Sequence, residues 1–293
     1  MWITMNKTTL FIITLLLIPT LTFAAGPRGN TTNKSFSKAK HLMLEMVYHD
    51  YKFTFYCDNP FTEDKKVIPS DKYTPKRENK RSKRIEWVHV VPAPAFGQSF
   101  SIWRNGDPEC VNKDGKSFKG RDCALKVSMY FRYMEADMYN LVPAIGEINV
   151  NRSNYSFAMI PGENREYGNC DMEIENRKAE PKEDIRGDIA RIYKYMNWAY
   201  PGRGIISKKN EKLFDAWDKA DPVDAWESKR CGRIKKVQGN QNPFIITKTI
   251  IKHGAKLIRK PKIDFNSLTD EERKEYYKKQ TLFRKKLREM KRE

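Results

Sequence analysis

The sequence has few acidic residues, and it lacks the patterns that define several common classes of site. Only 37 acidic residues stand against 56 lysines and arginines. The four histidines and five cysteines form no Cys-x-x-Cys or Cys/His spacing of the kind found in zinc sites. There is no glycine-rich loop that would cradle a phosphate group and no dinucleotide-binding signature. These absences exclude the common zinc modules, P-loop nucleotide hydrolases and dinucleotide-dependent enzymes.

The shortage of acids leaves a formal net charge of +19. Such an excess is typical of proteins that bind a polyanion, which can be nucleic acid, an anionic membrane surface or an acidic polysaccharide. The alternative is a charged surface that serves solubility alone, although acidic residues serve that purpose better. With 293 residues, 39% of them hydrophobic, the chain is long enough for one large globular domain with an appendage.

The N-terminus has the features of a secretory signal peptide. Lys7 precedes an apolar run from Thr9 to Phe23, and the small residues Ala24 and Ala25 follow. This order of a basic region, a short apolar region and small residues at the cleavage site predicts removal of residues 1–24. An uncleaved membrane anchor is the alternative. We therefore expect a secreted or periplasmic protein whose mature form has no transmembrane segment.

The five cysteines all follow the predicted signal peptide, and an oxidising compartment favours disulfides. Cys110 and Cys123 flank a polar loop and are expected to pair. A second pair is predicted between Cys170 and Cys231, which leaves Cys57 over. Connectivity does not follow from sequence alone, and an odd count leaves one thiol free or intermolecular.

Hydrophobic periodicity predicts a mixture of helices and short strands. The segment 85–91 is rich in β-branched residues and should form a buried strand that Pro92 ends. The segments 51–56 and 147–157 are predicted as further strands, the second with a loop as the alternative. Helices are expected near residues 39–47, 124–141, 184–200, 213–217 and 225–236. Residues 248–293 carry 16 basic and 7 acidic residues, and this tail is predicted to be a basic helical extension.

Two segments concentrate polar residues that could carry chemistry. The first, residues 85–97, reads IEWVHVVPAPAFG and places a single histidine, His89, inside an apolar strand. A satisfied core histidine is the simpler interpretation of that segment alone. The second, residues 137–155, reads DMYNLVPAIGEINVNRSNY. So many polar groups beside apolar ones indicate a hydrogen-bonded, pre-organised segment.

These two segments resemble the endonuclease I family of secreted and periplasmic nucleases, whose pattern runs roughly EWEHVVPA and then DxxNLxPAIGExNxxRSN. Five further matches follow in the family's order, so that the resemblance covers about residues 40 to 245. They are Tyr167-Gly-x-Cys-x-Met172, Arg186-Gly-x-Ile-Ala-Arg191 with Tyr195-Met196, Leu213-Phe-x-Ala-Trp217, Trp226-Glu227 and Val237-Gln-Gly-Asn-x-Asn-Pro-Phe244.

The resemblance implies an α+β fold that is mainly helical around a ββα-metal core. It implies that His89 is the general base that takes a proton from water, a task suited to an imidazole. Asn149 matches an amide ligand of one divalent cation, expected to be Mg²⁺ with Mn²⁺ or Ca²⁺ as alternatives. Arg121 matches a residue that contacts the phosphate, and Arg104 is the rival for that role.

The sequence departs from the family at Val88, where the family has a glutamate that binds the metal. Valine has no atom that binds a cation, and three interpretations stay open. The metal site rests on Asn149 and water, or Glu86 supplies the carboxylate because residues two apart on a strand share a face, or the protein has lost catalysis and only binds.

The expected function is sugar-non-specific hydrolysis of DNA and RNA by a monomer without a small-molecule cofactor. Basic residues would neutralise phosphates without reading sequence, and we expect this of Lys83, Arg84 and Arg104. Arg191 is a further candidate for phosphate contact, and the alternative is that it braces the core through acidic residues. Residues 25–245 would form the nuclease domain and residues 246–293 the basic extension. The main alternative is a weakened nuclease-fold protein that binds nucleic acid or anionic surfaces without cleaving. A basic membrane-active protein is a third hypothesis, which rests on charge alone.

Overall fold

A computed structural model describes residues 28–162 and 164–245, together with Glu271. The predicted signal peptide and all but one residue of the predicted extension therefore lie outside the described residues. The helices in the described part are α1 Phe36–Leu42, α2 Ala93–Gly97, α3 Ser101–Asn105, α4 Arg121–Val127, α5 Met129–Glu135, α6 Gly146–Arg152, α7 Arg186–Ala199, α8 Lys208–Ala220 and α9 Ala225–Gln238. The strands are β1 Ile85–His89, β2 Leu141–Ile145, β3 Ser156–Phe157, β4 Met172–Glu175 and β5 Lys178–Pro181. A mixture of helices with two small sheets agrees with the predicted α+β class.

The two-stranded sheet contains the strand that carries His89. Strands β1 and β2 are antiparallel, with Ile85 opposite Ile145 and His89 opposite Leu141. The pairing continues beyond the sheet, because the backbone amide of Val91 donates to the side-chain oxygen of Asn140 at 2.7 Å. The buried strand predicted over 85–91 is thus confirmed as β1.

The segment after β2 is a helix, α6, which corrects the strand or loop expected over 147–157. The chain turns closely at Gly146, where an added Cβ would lie 2.8 Å from the carbonyl oxygen of Arg81. The polar residues that suggested a loop make tertiary hydrogen bonds from the helix. Glu147 accepts from the backbone amide of Arg77 at 2.7 Å. Helix α6 packs on both strands of the small sheet.

Two other local predictions were wrong. The strand expected over 51–56 is reduced to one bridge between Phe53 and Pro60, because the chain turns before Cys57 and the amide of Phe55 bonds to the carbonyl of Pro143 instead. The helix expected over 124–141 is divided at Ser128. That residue has an extended backbone, and its hydroxyl accepts from the amide of Phe131 to begin α5.

Helices α7, α8 and α9 occupy the positions predicted for them. Helix α7 packs against α8 and buries most of its residues. A second sheet, with strands in the order β3, β5, β4, lies between α6 and α7 in the chain. The first predicted helix is also found, as α1 followed by a π-helical turn over Met43–Val47.

The disulfides agree with one prediction and correct the other. Cys110 pairs with Cys123, as expected of residues that flank one loop. Cys170 pairs with Cys57 and not with Cys231, because folding brings the Cα atoms of Cys57 and Cys170 to 4.7 Å although 113 positions separate them. Cys231 is a buried free thiol on α9. In the part of the chain that the structure describes, no helix is long and apolar enough to cross a membrane.

Candidate active site

His89 ends β1 and is held in a defined orientation. Its ring stacks on Phe36 with 4.8 Å between centroids, and Phe96 meets it edge-on at 6.4 Å. The Nε2 atom lies 2.7 Å from the carbonyl oxygen of Glu135. Because a carbonyl oxygen only accepts, Nε2 carries the hydrogen and the lone pair of the neutral ring is on Nδ1.

The electrostatic surroundings of His89 keep it neutral. Burial lowers the pKa of His89 to about 4, and the positive charges of Arg121, Arg152 and Lys40 act in the same direction. The hydrogen bond with Glu135 opposes this shift. At neutral pH the imidazole is therefore in the form that accepts a proton.

Glu135 joins His89 to Arg121. Its carbonyl contacts the histidine, while its carboxylate accepts from Arg121 Nε at 2.6 Å. The Glu135 carboxylate is almost fully enclosed, whereas 43% of the Arg121 side chain is exposed. The structure thus brings together the two residues assigned to catalysis. Sequence reasoning missed Glu135, since nothing distinguishes this glutamate from others in a helix.

Arg152 supports the backbone that carries His89. It is fully buried and donates from Nη1 to the carbonyl of His89 at 2.8 Å and from Nη2 to that of Val90 at 2.6 Å. Its guanidinium also lies 4.5 Å from the ring centroid of Phe157. Arg152 lies in the Asn-Arg-Ser-Asn sequence of the second polar segment. Its place in that segment was the only feature of the sequence that could have pointed to this supporting role.

Asn149 and Glu86 meet beside the small sheet. The Nδ2 atom of Asn149 donates to Glu86 Oε2 at 2.6 Å. The same carboxylate accepts from Arg81 and, at 3.1 Å, from Arg84. Partial burial acts to raise the pKa of Glu86, but the hydrogen bonds from Arg81 and Asn149 lower it below its usual range. Val88, two residues along β1, is only 4% exposed and supplies no ligand atom.

The donor set suits a hard cation that keeps most of its water. With Nδ2 engaged by Glu86, the Oδ1 atom of Asn149 has no hydrogen bond from any described residue, so it is free to bind a metal. An ionised carboxylate lies next to it. No group of three or more histidine, cysteine or acidic side chains that could hold a metal occurs within the described ranges. Magnesium is the ion that most often uses one or two protein ligands and several waters.

The residues expected to bind nucleic acid differ in their exposure to solvent and in their partners. Lys83 and Arg84 are exposed; Lys83 pairs with Glu78 and Arg84 with Glu86. Arg104 is exposed on α3 and donates to the carbonyl of Gln98. Arg191 is only 1% exposed and is enclosed by carboxylates, of which Glu227 takes two hydrogen bonds at 2.7 Å. A side chain enclosed in this way offers no donor to a phosphate, which argues against the contact expected for it.

The fold and the site define a class: an α+β protein that holds a neutral histidine beside an arginine, and in which the same strand carries a carboxylate that meets an amide side chain from α6. Hydrolases that act on phosphate esters use groups of these kinds. The sequence profile of the family described as Endonuclease I matches residues 32–248. The chain belongs to the endonuclease I family.

Similar proteins support the same assignment. The chain is 41% identical over 209 residues to an "Extracellular deoxyribonuclease" of Aeromonas hydrophila, covering 69% of this chain and 85% of the relative. It is equally similar to a "Periplasmic deoxyribonuclease" of the same organism, of which 81% is covered. An "Endonuclease-1" of Buchnera aphidicola subsp. Baizongia pistaciae is 35% identical over 248 residues, which is 82% of this chain and 94% of that protein.

Proposed function

We propose that this protein is a secreted or periplasmic endonuclease that hydrolyses phosphodiester bonds of DNA and RNA without sequence specificity. One observation carries the proposal. His89 is neutral, its Nε2 hydrogen is held by the carbonyl of Glu135, and the carboxylate of that same residue holds Arg121. A base and a cation are thus fixed side by side, as phosphate hydrolysis requires.

In this mechanism Nδ1 of His89 takes a proton from the water that attacks phosphorus. The hydrogen bond from Nε2 to Glu135 stabilises the imidazolium that results. Arg121 is half-exposed and can turn a guanidinium N–H toward a phosphate oxygen while Nε stays on Glu135. Arg152 holds the carbonyl of His89, which keeps the base in place during the transfer.

Asn149 and Glu86 would hold the divalent cation, which we propose to be Mg²⁺, with Mn²⁺ or Ca²⁺ as substitutes. Such an ion would stabilise the negative charge that develops on the phosphate and the leaving oxygen. Two arrangements are open. Asn149 Oδ1 binds alone with water while Glu86 orients its amide, or Glu86 binds directly after Arg81 and Arg84 release one of its oxygens. The existing contacts of Glu86 favour the first arrangement.

The proposal assigns the small sheet and α6 to a ββα-metal core. It assigns residues 1–24 to a signal peptide, 25–245 to the nuclease domain and 246–293 to a basic extension. Lys83, Arg84 and Arg104 would contact the phosphates of a nucleic acid bound by a monomer. These contacts carry no base information, so binding should weaken steeply with salt.

A second candidate function is nucleic-acid binding without cleavage. The observation that favours it is Val88, an apolar residue buried where the family has its metal-binding glutamate. Losing a carboxylate ligand weakens metal affinity, and such a protein would keep the basic surface while losing turnover.

Plasmid cleavage by the mature protein, measured over a titration of MgCl₂ and MnCl₂, separates the two functions. Asn149→Ala should abolish cleavage or move it to much higher metal concentration. Asn151→Ala is the matched control, because Asn151 lies on the same helix but bonds to Tyr167. Val88→Glu should lower the metal concentration needed for half-maximal cleavage. If the wild type never cleaves but the Val88→Glu variant does, the protein is a nucleic-acid binder that has lost catalysis.

A further inference from the structure

Helix α1 brings to His89 two side chains that the mechanism above does not use. Phe36 and Lys40 lie four residues apart and so share one face of the helix. The ring of Phe36 stacks on the imidazole with an interplanar angle of 27°. The Nζ atom of Lys40 lies 4.7 Å from the centroid of that ring, and the guanidinium carbon of Arg121 lies 5.7 Å from it. One aromatic ring therefore contacts the base and two cations.

Few carboxylates are paired with the positive charges that act on His89. These charges are Lys40, Arg121 and Arg152. Among the described residues only Arg121 has a carboxylate partner, that of Glu135. Lys40 is partly buried and forms no ion pair with any described residue. Like charges held together at a partly desolvated site are unfavourable unless an anion joins them.

We propose that Lys40 is a second phosphate-binding residue of the active site, which contacts with Arg121 the phosphate attacked at His89, and that Phe36 is a positioning residue for all three. The inference rests on the proposed function, since it deepens the substrate site of that reaction. The cation–π contacts hold both cations without using up their N–H donors. Those donors stay available for phosphate oxygens, and charge-assisted hydrogen bonds of this kind are strong.

The test compares Lys40→Gln with Lys38→Gln in the full mature protein. Both variants remove one positive charge from α1. Lys38 is exposed, its backbone amide donates to the Ser35 hydroxyl that caps the helix, and its side chain has no ion pair with a described residue. The substrate is bis(p-nitrophenyl) phosphate, which has a single phosphodiester and no neighbouring phosphates. Lys40→Gln should lower kcat/KM on the order of ten- to a hundredfold. Lys38→Gln should stay within about twofold, and Lys40→Arg should retain most activity.

The pH profile gives a readout that a purely structural role would not move. The charged side chains that act on His89 are Lys40 from α1, Arg121 from α4 and Arg152 from α6, with Glu135 contributing its carbonyl from α5. Removing the charge of Lys40 should raise the pH of the acid limb of kcat/KM, because one charge that disfavours imidazolium is gone. Lys38→Gln should leave the limb in place. Phe36→Leu should lower kcat while Phe36→Tyr, which keeps the ring, should not.

A binding measurement decides the proposal even without turnover. The affinity for the thymidine dinucleotide TpT is measured by NMR titration in EDTA, and Lys40→Gln should bind about tenfold more weakly than Lys38→Gln. Equal affinities of the two variants, or equal losses of kcat/KM, would overturn the proposal. If the wild type does not cleave but Lys40→Gln alone loses affinity, the proposed catalysis fails and the phosphate site stands.

Discussion

Two arginines of this protein, Arg191 and Arg121, stand in opposite electrostatic surroundings. Arg191 on α7 is 1% exposed and donates to the carboxylates of Glu227, Asp188 and Asp218. Arg121 on α4 contacts one carboxylate and leaves nearly half of its side chain to solvent. Negative charge is in excess around the first arginine, and positive charge is in excess around the second.

This difference is the one we expect between a structural arginine and the phosphate-binding arginine that we propose. Around Arg191 the protein supplies every partner, and burial still raises the pKa of Glu227 despite the ion pair. Around Arg121 the described residues supply one carboxylate, next to a neutral base and to Lys40, which has no ion pair within the described ranges. The family motifs found in the sequence contain Arg191 but not Arg121, so motif membership alone does not identify the arginine that contacts phosphate.

Arg191→Met tests the structural side of the comparison and should have the largest effect on stability. Its removal leaves Glu227, Asp188 and Asp218 without their shared cation, which costs about 3–5 kcal/mol of the free energy of unfolding. Urea denaturation measures this loss. Lys229→Met is the control, because that exposed lysine pairs with Asp50 at the surface and should cost less than about 1 kcal/mol. If Arg191→Met loses no more stability than Lys229→Met, Arg191 does not have the structural role that distinguishes it from Arg121.

Arg121→Gln tests the functional side. Loss of this cation should lower kcat/KM for plasmid DNA by about 10²- to 10³-fold, with a smaller effect on unfolding than Arg191→Met. Initial rates of nicking give the value. Arg104→Gln is the matched variant, since Arg104 is the rival for the phosphate contact. If Arg104→Gln has the larger effect, the assignment of Arg121 is wrong.

Arg152→Lys sharpens the comparison, because Arg152 is buried like Arg191 yet holds the backbone of the proposed base. Lysine keeps the charge but does not reproduce the two parallel donors that hold the carbonyls of His89 and Val90. We expect about a tenfold loss of kcat and about 1–3 kcal/mol of stability, the range for hydrogen bonds from a charged group. Rates and urea unfolding on the same sample separate these effects. Unchanged kcat would make Arg152 structural only.

The pH dependence of cleavage should show the smallest effect, a displaced acid limb. His89 has a pKa of about 4, so it stays a base well below the 6.5 of a free imidazole, and kcat/KM should fall only as the pH drops through about 4. The unfolded chain binds a proton on this residue below 6.5, so its contribution to stability decreases as pH falls from 6.5 to 4. Circular dichroism at each pH confirms folding. An acid limb near 6.5 would contradict the burial of His89.

Features that depend on neighbouring residues, or on motifs shared with the family, could be predicted from the sequence. The strand that ends at His89 was readable from its β-branched residues, and the Cys110–Cys123 pair followed from one short loop. Helices α7 and α9 followed from apolar periodicity.

What the sequence did not provide depends on long-range packing. Cys57 meets Cys170 only because two distant segments fold together, and the partners of Arg191 lie on three helices. Helix α6 was misjudged because its polar residues bond to other elements rather than to solvent. Glu135 acts partly through its carbonyl oxygen, which no side-chain motif reveals.

The most direct test of the central claim is plasmid cleavage by the wild-type mature protein and by His89→Ala in the presence of MgCl₂. His41→Ala is run beside them, because His41 is an exposed histidine on α1 that pairs with Glu45. We expect cleavage by the wild type and by His41→Ala, stopped by EDTA, and a loss of at least about 10²-fold in His89→Ala. Equal cleavage by His89→Ala and the wild type would contradict this expectation.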